Sequence, residues 1–509
     1  MEKYKIELNK GSSKYLQIYN YIKKLIIDND IKEHEKLPPI RKLADYIGVN
    51  NATIVKVYEL LENEGYIYKI VGSGTFASNI KLKKKKTIEK KEGLIHFDSG
   101  NPSADMFPID DYKKAINMAL ENDGPSIFNY DEGKGSIELR DKICEYLKDR
   151  KINTNIENIQ IISGAQQGID IVCKGLINYS DVVFVEEPTY NGALEVFKSR
   201  GAKVISIPML DDGIDIGILK LKLEKIKPKL IYVMPNFQNP TGISYSTYKK
   251  KKLIELSEEY DFYILEDDFI SDFPFDSEDN LPLKSYDKNN RVIYIKSFSK
   301  ILMPGLRIGM VEIPMELQSQ ILWAKYSSDI STPGLIQKSM FYYMNCFNWK
   351  QYLNNINNIY YEKYSLAKKL IDKKISNKLK VRKSAGGINF FFELPRGYLS
   401  SDFYNFLLER GVVITPGTYF FDNSMDDRYF RINIANSSLE DIKEGINRIS
   451  DSLDVFLANY KEKQKRCPRI YTIHIPASFH KCPPVSEEYS GSVSYTQTQQ
   501  CSSRSSRFQ

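Results

Sequence analysis

Over residues 13–64 apolar positions recur every three to four residues, the spacing of helices that bury one face. The first predicted helix, around Ser13 to Asn29, carries Tyr15, Ile18, Tyr19, Ile22, Leu25 and Ile26 along that face. The second opens at the prolines of LPPIRKLADYIGV, where Pro39 suits a first helical turn; Ile40, Leu43, Ala44 and Ile47 form its stripe and Gly48 ends it. The third spans NNATIVKVYELLENEG, with Asn50 as N-cap, Ile54, Val57, Tyr58 and Leu61 buried, and Gly65 as terminator. The period then drops to two: YIYKIVGSGTFAS alternates about Gly72-Ser73-Gly74, a tight β-turn. Helices joined by a short glycine-containing turn and followed by a hairpin are the parts of a winged helix-turn-helix, which predicts a mainly α unit over 1–78.

Residues 79–92, NIKLKKKKTIEKKE, hold almost no apolar side chain and repel one another, which predicts an extended lysine-rich linker. From 93 to 460 the pattern changes class. The runs IQIISG, DVVFVEEP, AKVISIP, KLIYVMP, FYILEDD, RVIYIKS and RIGMVEIP alternate with helical stretches. Near-continuous apolar strands separated by helices argue for an α/β unit around a mostly parallel sheet buried on both faces. In such sheets ligands sit beyond the carboxyl ends of the strands. Residues 461–509 have no helical or strand period and are rich in Ser, Gln, Pro and Cys; they are read as an unfolded tail or a reading-frame artefact.

A length of 509 residues exceeds one core, and 42% hydrophobic with 27% charged residues is the balance of a globular protein. The sequence holds no apolar run long enough to span a membrane and no signal-like N-terminal segment, so a cytoplasmic location is expected. Six cysteines without CxxC spacing read as reduced thiols, and four scattered histidines argue against a metal site. The net charge of +7 permits a polyanionic partner without demanding one.

The strand ends carry the chemistry. In SGAQQG, Gly164 lets the backbone turn into a helix whose first N–H groups, at Ala165 and Gln166, suit a phosphate. In EEPTYNG, Tyr190 offers an aromatic face; in PNFQNPTG, Asn239 holds an amide at a loop start; in EDDF, Asp267 sets a carboxylate at the mouth of a buried strand. The stretch SFSKILMPGLRIG adds Ser297, Lys300 and Arg307. Each alone has an ordinary explanation as punctuation, core or turn. In order, they specify phosphate on a helix start, a ring under an aromatic, an amide beside a phenolate oxygen, a carboxylate facing a protonated ring nitrogen and a lysine for a carbonyl. The ligand with those parts is pyridoxal 5′-phosphate, bound to Lys300, whose amine is expected to be kept reactive by burial and by Arg307 nearby.

With these landmarks, residues 93–460 resemble the fold type I, aspartate aminotransferase-like domain. Residues 4–78, with LPPIRKLADYIGV and EGYIYKIVGSGTF, are similar to the GntR winged-helix regulators. The fusion resembles the MocR subfamily of bacterial transcription regulators. The resemblance implies a central sheet with a smaller α+β subdomain, an internal aldimine at Lys300, and ring-nitrogen pairing by Asp267. It further implies an O3′ contact from Asn239, stacking by Tyr190, and phosphate contacts from Gly164, Ala165, Gln166, Ser297 and Arg307. Arg431, in YFRINIA, matches the arginine for a substrate carboxylate, and Tyr130, in FNYDEGKG, the tyrosine that reaches a neighbouring subunit's phosphate. Phe269 departs from the tyrosine usual there, so Asn239 is left to hold O3′ alone.

In the head, a recognition helix from Asn50 to Glu64 exposes Asn50, Asn51 and Thr53 toward adenine edges, while Arg41, Lys56 and the wing turn at Gly72 and Ser73 lie closer to phosphates. Helix capping accounts for Asn50 and Asn51 equally well. Specific binding to double-stranded DNA requires a homodimer across two half-sites. The expected function is a transcription regulator that senses an amino acid or amine through an external aldimine at the cofactor; the alternative is a working aminotransferase with an accessory head.

Overall fold

The computed structural model describes residues 2–6, 8, 13–27, 30–32, 35–63, 66–70, 74–77, 93–130, 133–273, 275, 280–422 and 427–466. Gly65, the turn residues Gly72 and Ser73, the expected linker 79–92 and all residues from 467 onward lie outside the described residues.

In the head, the 3.6-residue stripes become helices α1 (Lys14–Ile27), α2 (Ile40–Ile47) and α3 (Asn51–Asn63), followed by the antiparallel pair β1 (Ile67–Ile70) and β2 (Gly74–Ala77). Ile18, Ile22, Leu43, Ile54, Val57 and Leu61 are fully buried in one apolar cluster, in which α1 and α2 each pack a face against α3. Pro39 stands one residue earlier than the sequence suggested, at the N-cap of α2 with an extended ψ of 144°. That follows from its missing N–H, which costs nothing at either position. Gly48 closes α2 in the left-handed region, φ 77°, and donates its N–H to Ala44 O. Leu37 N donates to Thr75 O and Ala77 N to Glu35 O, which lays the segment before α2 along the wing hairpin.

The second unit opens with β3 (Ile95–His96), then α4 (Ile109–Asp123), α5 (Ile137–Asp149), β4 (Ile159–Ile162), α6 (Ala165–Leu176), β5 (Val182–Glu187), β6 (Lys203–Leu210), β7 (Gly213–Ile214), β8 (Leu230–Val233), β9 (Tyr263–Asp268), β10 (Val292–Ser297) and β11 (Gly309–Glu312). The large sheet has the order β4-β11-β10-β9-β8-β5-β6-β7. Every strand runs the same way except β11 and β7, which pair antiparallel with their neighbours. The run RIGMVEIP is therefore the strand that turns back: residues 298–308 separate it from β10, less chain than the dozen or more residues a parallel crossover takes. Strands β4, β8 and β10 are buried along their whole length, as expected for a sheet covered on both faces. One core cluster, including Ile169, Val172 and Leu194, packs on one face and a second, including Leu219, Leu253 and Phe262, on the other.

A smaller sheet of order β12-β13-β16-β15 follows, made of β12 (Lys380–Val381), β13 (Asn389–Glu393), β15 (Thr415–Pro416) and β16 (Tyr429–Asn433), while β14 (Val412–Val413) pairs parallel with β3. The last helix, Leu439–Arg466, runs into the first residues of the expected tail. Among the described residues no helix is long and apolar enough to cross a membrane.

Candidate functional site

A cavity of about 610 Å³ opens beyond the carboxyl ends of the parallel strands, where the face of the small sheet meets them. Of the residues singled out in the sequence, Ala165, Gln166, Tyr190, Asn239, Asp267, Ser297, Lys300, Arg307 and Arg431 line it. At its base, Gly164 precedes α6 with φ 87°, and a Cβ there would fall 2.7 Å from Arg307 Nη2. Arg307 itself sits in the left-handed region, φ 52°, and donates to Ser163 O at 2.9 Å. Such a backbone persists in a non-glycine residue only where its surroundings fix it, and here it folds the guanidinium against the start of α6. The phosphate contact expected of Gln166 is through its backbone N–H, and its side chain is engaged elsewhere. Its Oε1 accepts from Tyr190 Oη at 3.1 Å and its Nε2 donates to Gly192 O at 2.9 Å, so it clamps the tyrosine ring. Ser297 Oγ accepts Ser299 N–H at 3.2 Å.

Strand alternation separates two adjacent carboxylates at the end of β9. Asp267 accepts from Tyr232 Oη at 2.7 Å through Oδ2, and its Oδ1, also buried, has no partner. Burial pushes its carboxyl up to about 6, against the Tyr232 hydrogen bond. Asp268 turns to the other face, where Lys296 Nζ lies 3.2 Å from Oδ1 and Tyr294 Oη donates to Oδ2 at 2.6 Å. Burial alone would raise its carboxyl, but Lys296 and Arg150 hold it below the ordinary range. Lys300 is brought down to about 8, first by burial and then by the charges of Arg431 and Arg307. The sequence anticipated burial and Arg307; Arg431, 131 positions away in the chain, is the contribution local pattern did not carry.

Arg431 is nearly buried, and burial brings it down to about 10. Its Nη1 donates to Asn239 Oδ1 at 2.9 Å, and its Nη2 to Asp98 O at 2.9 Å and Thr415 Oγ1 at 3.1 Å. Because Asn239 accepts through oxygen, its amide nitrogen is left to donate into the cavity. Lys300, Arg307 and Arg431 face a single lining carboxylate, Asp267, among the described residues. A cavity so charged favours a ligand with more than one negative group. Tyr130 is 79% exposed and does not line the cavity. Gly100, Asn101, Asn389 and Asn433 line it without having been singled out.

In the head, Asn50 Oδ1 accepts Thr53 N–H at 2.8 Å and Thr53 Oγ1–H at 2.6 Å, so both side chains serve the helix cap. Asn51, Arg41 and Lys56 are exposed, and Lys56 Nζ rests 4.1 Å from the Tyr15 ring centre.

Residues 92–449 match the family described as aminotransferase class I and II, and residues 14–77 match bacterial regulatory proteins of the gntR family. The chain belongs to the class I and II aminotransferase family. With the gntR head before it, the arrangement is that of the MocR subfamily. Among relatives, the chain is 27% identical over 463 residues to the HTH-type transcriptional regulator YisV of Bacillus subtilis, covering 86% of this chain and 95% of that protein. It is 31% identical to an aminotransferase of Saccharolobus solfataricus over 71% of this chain and 92% of the other. A kynurenine aminotransferase of Pyrococcus horikoshii, solved in complex with PMP, superposes with a TM-score of 0.71 at 27% identity, over 78% of this chain and 99% of its own.

The family uses pyridoxal phosphate, and the residues present fit it. The unpartnered Asp267 Oδ1 is a buried acceptor of the kind a protonated ring nitrogen satisfies. The close approach of Gly164 to Arg307 sets a guanidinium against the start of α6, where a phosphate would find both it and the first backbone N–H groups of the helix.

Proposed function

We propose that this chain is a pyridoxal phosphate-dependent transcription regulator whose cavity receives an amino acid or amine and whose head binds double-stranded DNA. The observation that supports this reading is that one chain holds both a helix-turn-helix head and a cavity lined by Lys300, Asp267, Asn239, Tyr190 and Arg307, and that YisV aligns across both. Bound pyridoxal phosphate supplies an electrophilic carbonyl for amines. Around it, Lys300 would hold the carbonyl, Asp267 the ring nitrogen, Tyr190 one ring face, the Asn239 amide O3′, and the N–H groups at Gly164–Gln166 with Ser297 and Arg307 the phosphate. Arg431 takes an incoming carboxylate. In the head, Asn51 reads base edges, and Arg41, Lys56 and the turn at Gly72 and Ser73 approach phosphates. Two copies in the cytoplasm form a dimer in which Tyr130 reaches the other copy's phosphate site. The proposed boundaries are 1–78 for the head, 79–92 for the linker, 93–460 for the cofactor domain and 461–509 for the tail.

The test is a footprint on DNA upstream of the protein's own gene at low salt, with and without pyridoxal phosphate and candidate amines. Protection that changes with the amine supports the reading; no protection at any site refutes it. A second reading, a working aminotransferase, is favoured by Lys300, which at about 8 is reactive near neutral pH. Repeated turnovers of keto product from an amino acid and a keto acid would establish it.

A further inference from the structure

The face of the small sheet that carries Arg431 carries two further polar side chains toward the cavity. Asn433 lies two residues along β16, and Asn389 lies opposite it on β13. Each is only 2% exposed. A relay fixes how both amides turn. Ala435 N–H donates to Asn433 Oδ1 at 3.0 Å, so the amide nitrogen of Asn433 faces Asn389 and donates to its Oδ1 at 2.7 Å. An amide whose oxygen is engaged on one side presents its nitrogen on the other. Asn389 Nδ2 therefore turns away from Asn433, and no group among the described residues accepts from it. Since the residue is otherwise enclosed, what remains open of it faces the cavity.

A donor that faces the cavity gives up its water when a ligand fills that space, and a ligand that supplies the acceptor recovers the cost while one of the same shape without it does not. The charge around the amide narrows the acceptor further. Arg307 belongs with the phosphate, Lys300 with the carbonyl and Arg431 with one ligand carboxylate, so no lining cation among the described residues remains for a second carboxylate. A lone amide does not offset the desolvation of a second negative group.

We propose that Asn389 determines specificity: among α-amino acids held by Arg431, it selects those whose side chain bears a neutral oxygen acceptor, a carboxamide or hydroxyl, over aliphatic side chains of the same shape. This rests on the amino acid-sensing reading above. The test is calorimetric titration of the cofactor-loaded full chain with two near-isosteric pairs, asparagine against leucine and threonine against valine. Asparagine and threonine are expected to bind ~10-fold more tightly than their aliphatic partners, and Asn389→Leu to abolish that difference while near-ultraviolet dichroism stays unchanged. Leucine binding the unaltered chain as tightly as asparagine overturns the proposal without any variant, which keeps it testable should Asn389→Leu fail to fold. Equal weakening of all four ligands in the variant also overturns it, because the amide then serves the shared α-carboxylate. If the unaltered chain binds none of the four, nor alanine or glutamate, the sensing reading itself falls, and this proposal with it.

Discussion

Lys300 titrating near 8 instead of 10.5 changes what the residue does at neutral pH, because its neutral amine becomes a substantial fraction. The rate of pyridoxal phosphate uptake, trapped by borohydride as a pyridoxyl group on Lys300 and read by mass spectrometry, is therefore expected to climb to about pH 8 and flatten above it. Lys300→Ala should trap none at that position. Asp267 gives the opposite sign. Its carboxyl stands near 6 when folded against an ordinary 3.8, so the folded chain binds the extra proton between those values and stability falls as pH rises through them. The full cost, about 3 kcal/mol, is present above pH 6. Asp267→Asn should thus raise the unfolding midpoint of the cofactor-free chain at pH 8, leave it nearly unchanged at pH 4, and weaken retention of the cofactor. Equal midpoints at both pH values would contradict this. Lys300, Asp267 and Asn239 were legible in the sequence because each is a polar residue at or just beyond an apolar run. Tyr232 and Asn389 were not: the tyrosine sits inside such a run, and the asparagine acquires meaning only from a strand 44 positions later.

At the scale of elements, α3 shows how one position answers two readings. Asn50 spends its oxygen on Thr53, whereas Asn51, the next residue, is exposed. Asn50→Ala is expected to cost about 1 kcal/mol of head stability, the usual loss of an N-cap. Asn51→Ala should leave the head's thermal unfolding unchanged and weaken binding to the protected DNA site by ~10-fold or more. Head unfolding can be followed by hydrogen exchange at α3 and affinity by mobility shift. The helix periods and the glycine at position 48 were enough to place the head's helices, since burial and capping are local. The direction of β11 was not visible in its apolar run, because pairing sense is set by the length of the connection.

For the whole molecule, the gntR head and the cofactor domain on one chain predict binding whose strength depends on ions. Neutralised phosphates release their counterions, so affinity is expected to fall by ~10³-fold between 50 and 200 mM salt, with two chains bound per protected site. A slope near zero in a salt titration would rule out phosphate contacts by Arg41 and Lys56. Arg431 also carries a consequence at this scale. Its guanidinium stands on the small sheet yet is tied to the Asn239 amide from the loop after β8 and to the Asp98 carbonyl. An arriving anion that wants two parallel N–H groups must compete with those oxygens for the same fork. Admission of a guest and loosening of the seam between the two sheets are in that case a single event, written into how one arginine divides its protons.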